Sequence, residues 1–138
     1  MRNVSGTTLF IGHAGNGRDI PSLRRAGIEA LIDLALNQTP ATPQPEMVCC
    51  RIPLDDGGGN PAVSVRLALD TTSALLKAEI KTLVFCSAGM SRSPAIAAGA
   101  LSLALAIDPN EALGRVRACG PCDISPTLWG SVLEALRR

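Results

Sequence analysis

Cys86-Ser87-Ala88-Gly89-Met90-Ser91-Arg92-Ser93-Pro94 is the stretch on which the reading of this chain turns. A cysteine and an arginine stand six positions apart, joined by small residues. The run follows an apolar, strand-like stretch at 82–85 and leads straight into an apolar, helix-like stretch at 95–107. A loop between a strand end and a helix N-terminus turns several backbone N–H groups toward one point, which makes an anion site. Cys86 is the strong nucleophile of the segment, and the planar fork of Arg92 grips two oxygens of a phosphate. Nucleophile, amide cradle and cation together point to phosphoryl transfer to sulfur. Taken alone, Cys86 reads as a buried core cysteine, since free Cys is among the most buried residue types. Gly89, Arg92, Ser93 and the strand–loop–helix setting displace that reading.

The rest of the composition bounds the answer. A chain of 138 residues has the length of one compact domain, 1–138. With 46% hydrophobic and 18% charged residues it is globular rather than disordered. A net charge of +1 without a basic block argues against a nucleic-acid surface. The aromatics are Phe10, Phe85 and Trp129, too few for a base-stacking platform. The stretch 95–107 is short of the ~20 residues a membrane span requires and reads as a helix buried on most sides. The N-terminus shows no charged-then-apolar leader pattern. Five cysteines, an odd number without framework spacing, fit a reducing compartment, so the expected location is the cytoplasm.

Prolines mark the expected helix starts, because proline tolerates the first turn and supplies its φ. Asp19-Ile20-Pro21 opens a short helix that Gly27 closes, and Asn60-Pro61 opens one to about Glu79 with Val65, Leu69, Leu75 and Leu76 as its apolar face. Pro94 opens the buried helix. Asp108-Pro109-Asn110-Glu111 reads as a capping box for a helix to about Ala118. Ser125-Pro126 opens the last, with Leu128, Trp129, Val132, Leu133 and Leu136 apolar. Strands are expected at 8–11, 29–34, 47–52 and 82–86. The alternation predicts an α/β fold, a small central mixed sheet flanked by helices, with the cysteine loop between a strand and the buried helix. The Pro-rich stretch 37–45 reads as a surface connection.

A thiolate that takes a phosphoryl group needs an acid for the leaving oxygen. Ile52-Pro53-Leu54-Asp55-Asp56-Gly57-Gly58-Gly59 offers two carboxylates entering a triple-glycine loop, with ordinary turn residues as the plainer reading. The glycines point to a mobile flap.

With these pieces in hand, the run Cys86 to Ser93 resembles the Cys-x5-Arg-Ser/Thr signature of the protein tyrosine phosphatase superfamily, in its compact dual-specificity branch. Leu9-Phe10-Ile11-Gly12 is similar to that branch's first strand, and the segment 23–33 to its first helix and second strand. Residues 52–56 resemble its acid loop, and Ser125-Pro126 with Trp129 and Leu133 its closing helix.

The resemblance implies that Cys86 is the nucleophile of a phosphocysteine intermediate. Amides of Ser87, Ala88, Gly89, Met90, Ser91 and Arg92, with the Arg92 guanidinium, would hold the equatorial oxygens. Ser93 would assist departure of the sulfur. Asp56 would be the general acid, with Asp55 as the alternative. The family usually has His before the cysteine; this chain has Phe85, which leaves the helix dipole and Arg92 to favour the thiolate. The implied function is a phosphomonoester hydrolase that acts on phosphorylated protein or a small phosphomonoester, with no metal or other cofactor. The alternative is a weak or inactive phosphate-binding module of the same fold. A rhodanese-type sulfurtransferase usually has a shorter loop, and low-molecular-weight phosphatases place the signature at the N-terminus.

Other features read more plainly. Cys119-Gly120-Pro121-Cys122 spells a thioredoxin tetrad but follows a helix instead of opening one, so a rim disulfide formed on oxidation is the stronger functional reading. No second Cys or His pair completes a zinc site. Cys49 and Cys50, adjacent in a predicted strand, read as a small core residue and a partly covered neighbour pointing outward, with a resolving role toward Cys86 as the alternative. His13 reads as a surface loop residue, and Gly12, Gly15 and Gly17 around it make no dinucleotide fingerprint. Arg115 and Arg117 read as solvated charges, or as attraction for an anionic substrate.

Overall fold

The structure, a computed structural model, describes residues 1–42 and 44–137. One sheet holds β1 (Arg2–Asn3), β2 (Leu9–His13), β3 (Ala30–Ala35), β4 (Val48–Leu54) and β5 (Thr82–Cys86), in the order β1-β2-β5-β3-β4. β1 runs antiparallel to β2 and the other pairs are parallel, so the sheet is mixed. The helices are α1 (Ala14–Arg18), α2 (Ile20–Ala26), α3 (Ala62–Lys77), α4 (Arg92–Leu105), α5 (Pro109–Ala118) and α6 (Pro126–Leu136). No helix among the described residues is long and apolar enough to cross a membrane.

Strand alternation divides the core into two layers. Val84 and Cys86 of β5, with Ile32 and Leu34 of β3, join Leu69 of α3, Ile96 and Leu101 of α4, Val116 of α5 and Val132 of α6. Leu83 and Phe85 of β5, with Leu31 of β3, face Leu23 of α2 on the other side. α4 is the centre of the larger layer. Its Ile96 and Leu101 are fully buried, each contributing about 1.5–3 kcal/mol. β5 lies mid-sheet between β2 and β3, where the strand order reverses. In open α/β sheets the crevice beyond the carboxyl ends at that point is where ligands bind.

The local chemistry of the helix ends follows the sequence. Asp19 accepts from Ser22 N at the start of α2, and Gly27 ends it in the left-handed region at φ 73°. Asp108 accepts from Asn110 N, and Ser125 from Leu128 N, to cap α5 and α6. Three departures stand out. α4 begins at Arg92, not Pro94, so the proline is third in the helix, still within the first turn whose amides need no helical partner. It also ends at Leu105, because Ala106 turns left-handed. β4 runs on through Pro53 to Leu54, which an edge strand tolerates.

β1 and α1 carry no strand or helix signal in the sequence. α1 exists because His13 Nδ1 accepts from Asn16 N while Asn16 Oδ1 accepts from His13 N, a reciprocal cap that outweighs the poor helix propensity of Gly15 and Gly17. His13 is therefore an exposed strand end that caps a helix, not a loop residue. In the connection 37–45, residues 37–40 are exposed and Ala41 is buried; Pro43 lies outside the described residues.

Candidate active site

The loop between β5 and α4 wraps around the sulfur of Cys86. That residue is 2% exposed, and its Sγ lies 3.3 Å from Ser93 Oγ and accepts from Gly89 N at 3.2 Å. Ser93, fully buried, also donates to Gly12 O at 3.3 Å. A hydroxyl has one proton. While Ser93 gives it to Gly12 O, a Cys86 thiol donates to Ser93; once sulfur is ionised, the same proton is placed to turn toward it.

The loop carbonyls are held from outside. Ser87 O accepts from Ala14 N at 3.3 Å, Gly89 O from Arg2 Nη2 at 3.1 Å, and Met90 O from Asp123 N at 2.7 Å. A planar trans peptide sets N–H opposite C=O. The amides of Ala88, Met90 and Ser91 are thereby turned the other way, into the bowl of the loop. Gly89 makes the curvature possible: its φ is +73°, and a Cβ there would stand 2.9 Å from the backbone of Gly12.

Above the loop opens a cleft of about 230 Å³ lined by Asp56, Cys86, Ala88, Met90, Ser91, Arg92 and Asp123. Arg92 is half-buried and donates from Nη1 to Leu54 O at 3.0 Å, which ties the helix start to the end of β4. Ser91 caps no amide of α4, because its hydroxyl is engaged elsewhere: it donates to Asp56 Oδ1 at 2.5 Å and accepts from Ser125 N at 2.9 Å. Asp56 thus stands on the cleft wall. Asp55 is exposed and absent from that wall. Asn60 accepts from Asp55 N at 2.6 Å and donates to Asp55 O at 2.9 Å and Gly57 O at 3.4 Å. Those bonds close the glycine loop upon itself.

Phe85 points away from all this. It is 2% exposed in the α2-side layer, and α1 crosses it so closely that a Cβ on Gly17 would stand 2.6 Å from Phe85 Cζ. Cys50 packs on the larger layer and Cys49 on the smaller. Cys50 pairs with Ile32, which pairs with Val84. It is thus two strands, roughly 9–10 Å, from β5 and lower than Cys86. That exceeds the ~7 Å limit for a disulfide, so Cys50 is not placed to resolve an oxidised Cys86. Burial pushes the Cys49 thiol up, assisted by the charge of Asp33 and by Cys50.

Cys119 and Cys122 are free, half-buried thiols, and Cys119 donates to Val116 O at 3.0 Å. Arg115 pairs with Glu111 at 3.0 Å, Arg117 is exposed, and neither lines the cleft. The sequence reading missed Asp123 on the cleft wall, Arg2 behind the loop and the role of Asn60. None of the three carries a local motif.

A family model described as cyclin-dependent kinase inhibitor 3 (CDKN3) matches residues 28–113, more than half of the chain and the part that carries Asp56 and the Cys86 loop. No curated protein sequence matches the chain. Among solved structures the fold is similar to human DUSP28, with TM-score 0.86 and 22% identity over 99% of this chain and 95% of that one. A mouse putative dual specificity phosphatase, crystallised with zinc tungstate, gives the same TM-score and identity over 99% of this chain and 86% of that one. The human tyrosine phosphatase-like serine/threonine/tyrosine-interacting protein follows with TM-score 0.79 and 19% identity, covering 97% and 93%. With a motif of the superfamily in its loop, the dual-specificity phosphatase fold around it and the family model across its centre, this chain belongs to the CDKN3 family of the protein tyrosine phosphatase superfamily.

Proposed function

We propose that residues 1–138 form a single catalytic domain that hydrolyses phosphomonoesters through a phosphocysteine. The observation that carries this reading is the convergence of Cys86, Arg92 and Asp56 on one cleft of about 230 Å³, although Asp56 comes from a separate loop. In the first step the Cys86 thiolate attacks phosphorus in line. The S–P bond forms, the P–O bond to the leaving group breaks, and Asp56 donates a proton to the departing oxygen. In the second, water attacks phosphorus, Asp56 takes its proton, and the S–P bond breaks to return the thiolate, with Ser93 donating to it. Loop amides from Ser87 to Arg92 and the Arg92 guanidinium hold the equatorial oxygens throughout. The substrate is a phosphorylated protein side chain or a small phosphomonoester.

The test is hydrolysis of p-nitrophenyl phosphate by reduced wild type beside Cys86→Ser, with chelator present. Turnover by the wild type and none by the variant is the expected result. No turnover by the wild type sinks the hydrolase reading.

One observation favours a second reading, a phosphate-binding module without turnover. Phe85, in the position where the family usually has His, is turned to the opposite face of the sheet and offers the loop no hydrogen bond. Tight binding of tungstate by a wild type that hydrolyses nothing is its signature.

A further inference from the structure

Arg2 lies at the N-terminal edge of the sheet, 87 positions from the loop it touches. Its guanidinium spans two backbone carbonyls from different segments. Nη2 donates to Gly89 O at 3.1 Å and Nη1 to Pro121 O at 2.9 Å. Nε is buried without a hydrogen-bond partner among the described residues. A buried donor left unpaired is unfavourable, so this side chain is held by what its other nitrogens do.

The space for it is made by Gly120. A Cβ there would stand 2.3 Å from Arg2 Cδ and 2.9 Å from Nε. The carbonyl that Arg2 holds belongs to the left-handed residue of the phosphate loop, the point at which the loop reverses. A cation donating to Gly89 O also polarises that peptide, whose other end is the Met90 amide turned into the bowl.

We infer that Arg2 is a positioning residue for the phosphate loop: it fixes the Gly89–Met90 peptide against the Cys119–Cys122 segment and so preorganises the amides that take the oxyanion. The inference rests on the proposed anion site, but not on turnover. Arg2 touches no substrate. Its effect is on how ready the loop is before the anion arrives, and preorganisation is read as affinity.

The experiment is calorimetric titration of the reduced protein with sodium tungstate, for wild type, Arg2→Ala, Arg2→Lys, Gly120→Ala and the Arg2→Ala/Gly120→Ala double variant, each with its melting temperature. Arg2→Ala is expected to weaken tungstate about tenfold, and to raise KM for p-nitrophenyl phosphate by a similar factor where turnover is present. Arg2→Lys keeps the charge and reaches one carbonyl, so it falls within about threefold of wild type. Gly120→Ala displaces the guanidinium and weakens tungstate like Arg2→Ala, yet adds nothing to it in the double variant, the mark of a shared cause.

Wild-type affinity in Arg2→Ala overturns the inference. So does a loss in Arg2→Ala that only tracks early melting while Gly120→Ala binds normally, because Arg2 is then a stability residue. If Arg2→Ala is unfolded at the assay temperature, Gly120→Ala and Arg2→Lys decide. A wild type that binds tungstate without hydrolysing anything sinks only the hydrolase reading; one that binds no tungstate sinks the anion site and this inference with it.

Discussion

The Ser91 hydroxyl donates to Asp56 Oδ1 at 2.5 Å, and Ser91 Oγ itself accepts from Ser125 N at 2.9 Å. One buried side chain of the β5–α4 loop therefore joins the loop after β4 to the cap of α6. Because Ser125 N occupies the acceptor side of Ser91, its proton goes to Asp56. Oδ1 is thereby fixed as an acceptor, and a proton on the carboxyl resides on the other oxygen. In the proposed mechanism that is the proton for the leaving group.

Ser91→Ala is accordingly expected to lower kcat for phenyl phosphate, a poor leaving group, about tenfold, while p-nitrophenyl phosphate changes by less than about threefold. The contrast matters because a merely destabilised fold slows both alike. Equal losses on the two substrates refute the link between Ser91 and the acid.

The two neighbouring carboxylates separate in the same way. Both are exposed residues, but Asp56 lines the cleft and accepts from Ser91, whereas Asp55 lies off the cleft wall with its backbone bound to Asn60. Asp56→Asn is expected to reduce hydrolysis of phenyl phosphate by ~10²–10⁴ and to remove the limb of the pH profile that reports the acid. Asp55→Asn stays within about threefold. Steady-state kinetics across pH decides, and the reverse ranking assigns the acid to Asp55.

Phe85 raises a question about the residue that usually precedes the cysteine in this family. Its ring is 2% exposed among Leu23, Leu31 and Leu83 and fills the space left by Gly17. Phe85→Ala is expected to cost about 3–5 kcal/mol in urea unfolding. Phe85→His sets an imidazole in an apolar layer and costs about 1–3 kcal/mol for its unpaired polar atoms, without a gain in rate. A histidine variant that is as stable as wild type and faster contradicts this account.

What the sequence made legible was what its neighbours along the chain determine. β5 falls on 82–86 as read, since an apolar run leading into a cysteine loop has one way to be built. Asp19, Asp108 and Ser125 cap helices because capping is a contact over two or three positions. α4 starts two residues before Pro94, which resembles a first helical residue, whereas Arg92 and Ser93, respectively bound to Leu54 O and facing the sulfur, carry no helical signal of their own. α1 hides behind Gly-Asn-Gly, a turn composition that a single reciprocal cap turns into a helix. At the site, Cys86, Arg92 and Ser93 share one motif, and the strand end offers Asp55 and Asp56 alike, between which only the family resemblance favours Asp56. Arg2 and Asp123 reach the loop across 87 and 33 positions, where no spacing rule operates.

Cys49 gives a prediction independent of any activity. Burial raises its pKa first, and the charges of Asp33 and ionised Cys50 raise it further, since each disfavours a thiolate. Asp33 is itself buried, accepts from Ala35 N at 3.0 Å and lies 3.8 Å from Arg51 Nε, so its position is well fixed. A raised thiol pKa means that the reactive fraction at neutral pH is smaller than that of a free cysteine, whose pKa is about 8.5. Alkylation of Cys49 by iodoacetamide, followed by peptide mass spectrometry, is therefore expected to climb about tenfold per pH unit beyond about pH 8.5, where a free thiol levels off. Asp33→Asn removes one negative charge and moves the levelling-off point down, so labelling at fixed pH becomes faster. A Cys49 that levels off with free cysteine, or that is insensitive to Asp33→Asn while the fold is retained, shows that neither burial nor the carboxylate governs this thiol.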